Sequence, residues 1–500
     1  MKEGGDSGLE RLSSGVTGLD IILGGGFLAG GLYIIQGQPG TGKTTFGNQI
    51  CFNHVAGGGQ ALYVTLLAEY HARMMQHLSI MSFFDISKIP DQLTYFNCLQ
   101  VLHDEGLKGL LALLRREITT RGASILVLDG IVSARRAAED EEAFNQFVHE
   151  LQAIAIATDC TMFLLTSSRG TQVTPEHTMV DGIIEFTDQL VGWSAESSLQ
   201  VIKFRGSASL RGRHAFKITG KGIVVHPRIE ALLARPSRPD VGGTGRVSSG
   251  LDQLDVMLGG GLPTSSTTMI MGPSGTGKTT LGLQFLARCS EAEPGLLFGF
   301  YETPARLDAK IAGVCRPLRG LIDQGAVEVI WQPPTEDLLD AYGERLLQAV
   351  QRRKVKKLFI DGLGAFRQAS GIEPNRIGNF LTALMNEMRV LGVTTVYTLE
   401  VPDIMGPSIR TPIGDLSSLA ENLVLLRFAE LGARLRRLIS VLKVRDSQFD
   451  GSLHEYVTSD QGLVIEATAD SAERIMVGLA NLREDEQDGI TQPREGRDLL

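Results

Sequence analysis

The sequence predicts an α/β fold in two tandem domains, each a mostly parallel sheet flanked by helices. One observation is an internal repeat: residues 14–45 and 249–280 align in the same register without a gap, and both contain LGGG. The other is the alternation of apolar runs such as GLYIIQG and SILVLD with helix-like stretches such as EEAFNQFVHELQAIAIA. Strands that alternate with helices favour a parallel sheet, and near-continuous apolar strands indicate burial on both faces.

The repeat extends over whole domains. The segment ILVLDG, ending at Gly130, corresponds to LFIDG, ending at Gly362, and VIKFRGS corresponds to VLKVRDS further along the chain. A stretch rich in Pro, Gly and Arg separates the repeats, as expected of an exposed linker. We therefore divide the chain into a first domain, a linker, a second domain and an acidic, mobile tail: residues 1–235, 236–247, 248–466 and 467–500.

Composition and charge favour a soluble, cytoplasmic protein. The net charge of −9 offers no overall attraction to nucleic acid or to an anionic membrane, so neither is an expected partner. The five cysteines form no CxxC pair, which argues against a zinc ribbon or a disulfide framework and suits a reducing compartment. The opening segment lacks the apolar core of a signal peptide, and no uninterrupted apolar stretch reaches the roughly 18 residues of a membrane span.

Two glycine-rich segments match the phosphate-loop pattern GxxxxGK[ST]. They read GQPGTGKT at 37–44 and GPSGTGKT at 272–279, each after an apolar strand and before a helix, which is the context that the motif requires. In such a loop the backbone N–H groups surround the phosphates and the lysine reaches the β and γ oxygens. The residues predicted to bind ATP are Gly37, Gly40, Thr41, Gly42, Lys43, Thr44, Thr45, Gly272, Ser274, Gly275, Thr276, Gly277, Lys278, Thr279 and Thr280.

Each domain also offers a pair of oxygen ligands for Mg²⁺. Thr44 and Thr279 supply the hydroxyls of the two loops, and Asp129 and Asp361 each end an apolar strand, where a carboxylate lies beside the phosphate loop. An acidic residue at the end of a strand can also be a helix cap. Its repetition in both domains favours the metal role, so ATP and Mg²⁺ are the predicted cofactors.

Hydrolysis also needs a carboxylate that orients or deprotonates the attacking water, usually at the end of the strand that follows the phosphate-loop helix. The second repeat offers Glu302 directly at the strand end, in LLFGFYETPARL. The first repeat offers Glu69, displaced by extra apolar residues in ALYVTLLAEYHARM. Glu69 can equally be a helix N-terminal carboxylate that the helix dipole favours. The second domain therefore has the more convincing base.

These motifs together resemble the KaiC branch of the RecA-like ATPases, the circadian clock ATPases and their bacterial and archaeal relatives. The resemblance covers almost the whole chain and rests on the SGxxxLDxxLGGG lead-in, the phosphate loops, the strand-end aspartates and two K-x-R segments. It implies two RecA-like domains in a homo-oligomeric ring, typically a hexamer, because family K-x-R pairs reach the neighbouring subunit's γ-phosphate. Here these are Lys203 with Arg205 and Lys443 with Arg445; a solvated basic strand edge is the alternative.

The resemblance also bears on phosphorylation. Clock members phosphorylate themselves on adjacent Ser and Thr residues shortly before the second K-x-R strand, and Ser417 and Ser418 fall in that position here. Those members carry two adjacent glutamates after the second strand, whereas this chain has only Glu302 beside Tyr301. The Ser-Ser pair, followed by an acidic residue, is also what a helix cap looks like. Autophosphorylation and a simple structural role both remain open.

Three functions are compatible with these features. The main hypothesis is an ATP-driven regulatory ring that controls an unidentified protein partner in signalling, with Ser/Thr autokinase activity as an option in the second domain. The second is a RecA-type DNA repair or recombination ATPase, against which the negative charge argues. The third is a nucleotide-gated scaffold with vestigial hydrolysis, which the displaced Glu69 makes credible for the first domain.

Overall fold

The computed structural model describes residues 10–465 with several short gaps. The residues not described within this range are 69–70, 168–175, 241–242, 244, 336–337, 372, 374, 403–418, 432–433, 446 and 461. The described residues group into two units that divide between Leu232 and Leu233. Each unit contains one large sheet with helices on both faces, so the predicted fold class is confirmed.

The first unit alternates strands and helices through most of its length. Its strands are β1 (Arg11–Leu12), β2 (Phe27–Leu28), β3 (Leu32–Gly37), β4 (Ala61–Thr65), β5 (Leu93–Asn97), β6 (Ile125–Asp129), β7 (Thr161–Thr166), β8 (Gly182–Val191), β9 (Ser194–Phe204), β10 (Arg213–Thr219) and β11 (Gly222–His226). Its helices are α1 (Leu19–Leu23), α2 (Lys43–Ala56), α3 (His71–Leu78), α4 (Leu99–Arg121), α5 (Ile131–Ala137), α6 (Glu141–Thr158), α7 (Glu176–Met179) and α8 (Ile229–Leu232).

The second unit repeats this order of elements. Its strands are β12 (Arg246–Val247), β13 (Leu262–Pro263), β14 (Thr267–Gly272), β15 (Gly295–Gly299), β16 (Val327–Trp331), β17 (Lys357–Asp361), β18 (Thr394–Glu400), β19 (Asn422–Leu431), β20 (Arg434–Val444), β21 (His454–Ser459) and β22 (Gly462–Ile465). Its helices are α9 (Asp252–Met257), α10 (Lys278–Leu286), α11 (Pro304–Val314), α12 (Arg316–Asp323), α13 (Leu339–Arg353), α14 (Gly364–Gln368) and α15 (Arg376–Val390).

The two large sheets have the same topology. Within the described residues the strand orders are β11-β10-β9-β8-β3-β7-β6-β4-β5 and β16-β15-β17-β18-β14-β19-β20-β21-β22. The strands from β8 to β5 run parallel, as do those from β16 to β19, and the remaining strands extend each sheet in antiparallel fashion. The carboxyl ends of the parallel strands therefore meet at one edge, where open α/β sheets bind their ligands.

Burial on both faces explains the apolar strands. In the first unit α2 packs on one face through residues such as Phe46 and Ile50, while α4 and α6 cover the other through Leu114 and Leu151. Successive residues of β6 alternate between these two cores, because side chains of a strand point to opposite faces. Across the described chain, no helix combines the length with the apolar composition that a bilayer-spanning segment requires.

Candidate nucleotide sites

The first phosphate loop connects β3 to α2. Gly42 takes a left-handed φ of 94°, and a Cβ there would lie 2.7 Å from Ile218 Cδ1, so the position requires glycine. Lys43 opens α2 and its Nζ donates to the carbonyl oxygens of Gly37 (2.9 Å) and Gln38 (2.7 Å). Burial lowers the pKa of Lys43, and the negative charge of Asp129 acts in the opposite direction. The ammonium is thus held over a glycine-rich turn at the start of a helix, which suits a phosphate.

The second loop repeats this geometry between β14 and α10. Lys278 Nζ donates to the carbonyl oxygens of Gly272 (2.8 Å) and Pro273 (2.7 Å). Thr276 Oγ1 donates to Pro273 O at 2.8 Å, just as Thr41 Oγ1 donates to Gln38 O at 2.9 Å in the first loop. Of the other predicted residues, Gly40, Ser274, Gly275 and Gly277 lie in these two connections, and the first turns of α2 and α10 contain Thr44, Thr45, Thr279 and Thr280.

Each loop hydroxyl meets its strand-end carboxylate. Thr44 Oγ1 donates to Asp129 Oδ2 at 3.0 Å, and Thr279 Oγ1 donates to Asp361 Oδ2 at 2.9 Å. These pairs join residues far apart in sequence because β6 and β17 end beside the loops. A hydroxyl and a carboxylate oxygen at this separation are the donor set that Mg²⁺ takes beside a nucleotide, so the residues fit the ion.

The sequence did not reveal which further groups hold the aspartates. Tyr63 Oη donates to Asp129 Oδ2 at 2.9 Å, whereas Thr398 Oγ1 donates to Asp361 Oδ1 at 2.8 Å. Burial raises the pKa of Tyr63 well above its ordinary value. Burial also raises the pKa of Asp361, although hydrogen bonds from Thr398 and Thr279 oppose the shift. The two carboxylates therefore have different neighbours.

The second site contains two more carboxylates. Glu302 lies between β15 and α11, where Lys310 Nζ donates to its Oε1. Glu400 ends β18 and pairs with Gly272 in the parallel register, which puts it beside the phosphate loop. Burial lowers the pKa of Lys278, and the charges of Glu400 and Asp361 counteract this. Glu400 was not among the site residues predicted from the sequence, although it ends the apolar run TTVYTLE and so has the same strand-end pattern as Asp361.

The strand register shows which residue of the first domain corresponds to Glu302. On the strand beside each aspartate strand, Thr65 pairs with Asp129 and Gly299 pairs with Asp361. Ala68 is three residues after Thr65, just as Glu302 is three residues after Gly299. Packing supports this equivalence, because the residues just before them cover the glycine after each aspartate: Leu67 lies over Gly130 and Tyr301 over Gly362. The predicted base Glu69 lies outside the described residues, as do Ser417 and Ser418.

The K-x-R pairs lie near the amino-terminal ends of the parallel strands, at the opposite end of each sheet from the phosphate loops. On β8, Ile183 pairs with Lys203 of β9 and Phe186 pairs with Gly37 of the phosphate loop. These two levels of β8 are three residues apart, which is about 10 Å along the strand. Lys203 Nζ donates to the carbonyl oxygens of residues 177 and 178, and Arg205 donates to the latter at 2.8 Å. The pairs are therefore not brought to the phosphate loop of their own domain.

The second pair has the same arrangement. Lys443 on β20 pairs with Leu423 after a bulge, and its Nζ donates to Ala420 O at 2.9 Å. Arg445 follows the strand, 3.7 Å from Glu421 Oε1, with 61% of its side chain exposed. Both pairs therefore begin at a β-bulge, which re-aims the end of a strand.

Known proteins match this chain over nearly its whole length. The family model "ATPase: KaiC" matches residues 12–230 and again residues 247–470. The circadian clock oscillator protein KaiC of Parathermosynechococcus lividus is 24% identical over 94% of this chain and 88% of its own length. That of Synechococcus elongatus is 24% identical, covering 94% and 92%, and the circadian clock protein KaiC3 of Synechocystis is 23% identical, covering 92% of both chains.

The two family matches coincide with the two sheets, each with its phosphate loop, hydroxyl and strand-end aspartate. The resemblance that the motifs indicated is thus confirmed over both repeats. Nucleotide binding and ATP hydrolysis are the properties that such a phosphate-loop family implies. The chain is a P-loop ATPase that belongs to the KaiC family.

Proposed function

We propose that the chain is a regulatory ATPase whose second domain hydrolyses Mg-ATP and whose first domain mainly holds it. The observation that supports this division is the difference in carboxylates at equivalent strand ends. The second site has Asp361, Glu302 and Glu400, whereas Ala68 stands at the position that corresponds to Glu302 in the first. Both domains have the residues that bind phosphate. At this strand end, only the second domain has a carboxylate that could act as the base.

Hydrolysis follows from the roles of the residues around the second loop. Glu302 would orient a water molecule and accept its proton as the water oxygen bonds to the γ-phosphorus and the bond to the β–γ bridging oxygen breaks, leaving ADP and phosphate. Lys278 would hold the β and γ oxygens. Thr279 and Asp361 would hold Mg²⁺, which when bound neutralises phosphate charge. The first domain would bind Mg-ATP through Lys43, Thr44 and Asp129.

A ring of subunits, expected to be a hexamer, is part of this proposal. Lys203 lies about 10 Å along the strand direction from the level of its own loop and two strands away from β3. A lysine or arginine side chain does not bridge such a gap, so these cations suit a phosphate held by another copy of the chain. Lys443 and Arg445 would serve the second domain in the same way and stabilise charge in the transition state.

The regulatory output would be a cytoplasmic protein partner controlled by nucleotide state. The relatives are described as clock proteins, and at 23–24% identity this suggests signalling for the present chain without a specific rhythm. Autophosphorylation of Ser417 or Ser418 would be one form of that signal. Phosphopeptide mass spectrometry after incubation with Mg-ATP tests it; a segment that stays unmodified while ATP is consumed would remove the kinase role.

The proposed division of roles between the domains is tested with full-length variants in which one domain at a time carries a substitution. Lys43→Ala and Lys278→Ala should each lose one bound nucleotide, but only Lys278→Ala and Glu302→Gln should reduce phosphate release to a residual rate, because the base lies in the second domain. Bound nucleotide is measured by chromatography of the denatured protein, and turnover by phosphate release. Full turnover in Lys278→Ala, or in Glu302→Gln, would contradict the assignment.

A further inference from the structure

We propose that Lys310 is the positioning residue for Glu302, an inference that rests on the proposed role of Glu302 as the base. Lys310 Nζ donates to Glu302 Oε1, and the two side chains keep only 32% and 27% of their exposure. The pair is partly buried, so solvent screens it less than it would screen a fully exposed surface ion pair. Nothing in the sequence motifs of the site singles out Lys310.

Helix geometry explains how the lysine reaches the base. Glu302 precedes Thr303, the N-cap residue of α11, and Lys310 lies on the second turn of that helix. Side chains of an α-helix tilt toward its N-terminus, so a long side chain at this position reaches back to the residues just before the helix. Lys310 can therefore bring its ammonium group to the carboxylate of Glu302.

The two carboxylate oxygens of Glu302 have different surroundings. Oε1 is engaged by Lys310, whereas Oε2 is buried and accepts no hydrogen bond from the described part of the chain. A buried acceptor is costly to leave unpaired, which points to a donor that arrives with the substrate. A water molecule is the donor that hydrolysis requires. Lys310 would fix the carboxylate so that Oε2 faces this water.

Charge supports the same role. Lys310 is the cation in contact with Glu302, in the site that also contains the carboxylate of Asp361. A positive charge at this place reduces the electrostatic repulsion between the two carboxylates and so helps to hold Glu302 in position.

The first domain provides an internal comparison. Ala68 corresponds to Glu302, and eight residues further, where the second domain has Lys310, the first has the exposed residue Gln76 on α3. At these two equivalent positions the first domain therefore has neither the carboxylate nor the lysine. The two residues thus occur together at these positions in the second domain, as expected if the lysine acts through the carboxylate.

The test compares kcat and KM for ATP in the full chain. Lys310→Met should lower kcat by roughly 10- to 100-fold, the scale expected when a catalytic group is misplaced, with KM and bound nucleotide unchanged. Lys310→Arg, which keeps the charge and reach, should restore most of kcat. The control is Arg306→Met, which removes an exposed charge from the same helix and should behave as wild type.

A double variant separates this inference from the proposed function. In a Glu302→Gln background, Lys310→Met should not lower the residual rate of phosphate release any further, because the lysine acts only through that carboxylate. If Glu302→Gln is inactive but Lys310→Met keeps or raises kcat, Lys310 is not a positioning residue, although Glu302 stays the base. If Glu302→Gln is fully active, the proposed function itself fails.

Discussion

At the scale of single residues, the aspartate that ends each central strand is held by a different neighbour. Thr398 bridges two groups of the second domain: its Oγ1 donates to Asp361 Oδ1 at 2.8 Å and accepts the N–H of Gly362 at 2.7 Å. It is almost completely buried. The hydroxyl therefore satisfies a buried carboxylate and a backbone donor at the same time, which ties the turn after β17 to β18.

Thr398→Val should destabilise the second domain by about 1–3 kcal/mol, because it leaves both partners buried without the hydroxyl. The matched control is Thr395→Val on the same strand. Thr395 is fully buried, and its Oγ1 has no hydrogen-bond partner within the described chain, so its replacement should be neutral or stabilising. Urea unfolding of both variants checks this pair; equal stability of the two would contradict the role of the Thr398 hydroxyl.

His54 makes the stability of the first domain depend on pH. Its Nε2 lies 2.6 Å from Ser124 Oγ, and burial lowers its pKa below the ordinary 6.5. Since the unfolded chain then binds the proton more readily, the stability from neutral His54 is fully present above about pH 6.5 and is lost as pH falls toward the folded pKa. Denaturation at a series of pH values should show this fall weakened in His54→Gln.

His149→Gln is the control for this experiment, because His149 lies exposed on α6. It should keep the wild-type pH dependence. If His54→Gln also keeps it, the acid sensitivity of the first domain comes from other groups.

Sequence alone predicts the residues that form contiguous motifs. The roles of Thr44 and Asp129 could be predicted because Thr44 belongs to the phosphate-loop motif and Asp129 ends an apolar strand segment. Thr398 and Lys310 could not, since their contacts depend on sheet register and on how α11 leaves β15. Glu400 is intermediate: its strand-end position is visible in the sequence, but its pairing with the loop is a property of the sheet.

At the scale of elements, the strands after the phosphate-loop helices distinguish the two domains. β4 and β15 have the same register against their aspartate strands, and both are followed by a large side chain over a glycine. The apolar runs predicted these parallel strands. They did not predict the antiparallel extension from β9 to β11, where mixed exposure weakens the pattern and a bulge at Ile183 and Ile184 sets the register.

Equivalence of these strand ends predicts a gain of activity. Ala68→Glu in a Lys278→Ala background, in which the second domain is silenced, should raise phosphate release several-fold, because a base is then present beside the first loop. Adding Gln76→Lys should raise it further by supplying the missing partner. Ala68→Gln, which has the same length without the charge, is the control. An Ala68→Glu variant as inactive as its parent would contradict the alignment of the two strand ends.

At the scale of the whole molecule, the duplication gives one chain two phosphate loops with unequal chemistry. Because Lys443 lies away from the loop of its own domain, we expect each active site to combine residues of two subunits. One subunit would supply Lys278, Asp361 and Glu302. Its neighbour would supply Arg445.

A shared site of this kind predicts recovery of activity from two inactive proteins. Glu302→Gln lacks the base and Arg445→Met lacks the interfacial charge, so each should be inactive alone. In a co-expressed mixture, an Arg445→Met subunit keeps its base and can receive Arg445 from a Glu302→Gln neighbour, which random assembly allows at roughly one quarter of interfaces. Phosphate release from the mixture should therefore return in part.

Mixing Glu302→Gln with Lys278→Ala is the control, because both defects lie in the same subunit's share of the site and no interface is restored. Recovery in the control, or none in the test mixture, would show that the site is not shared in this way.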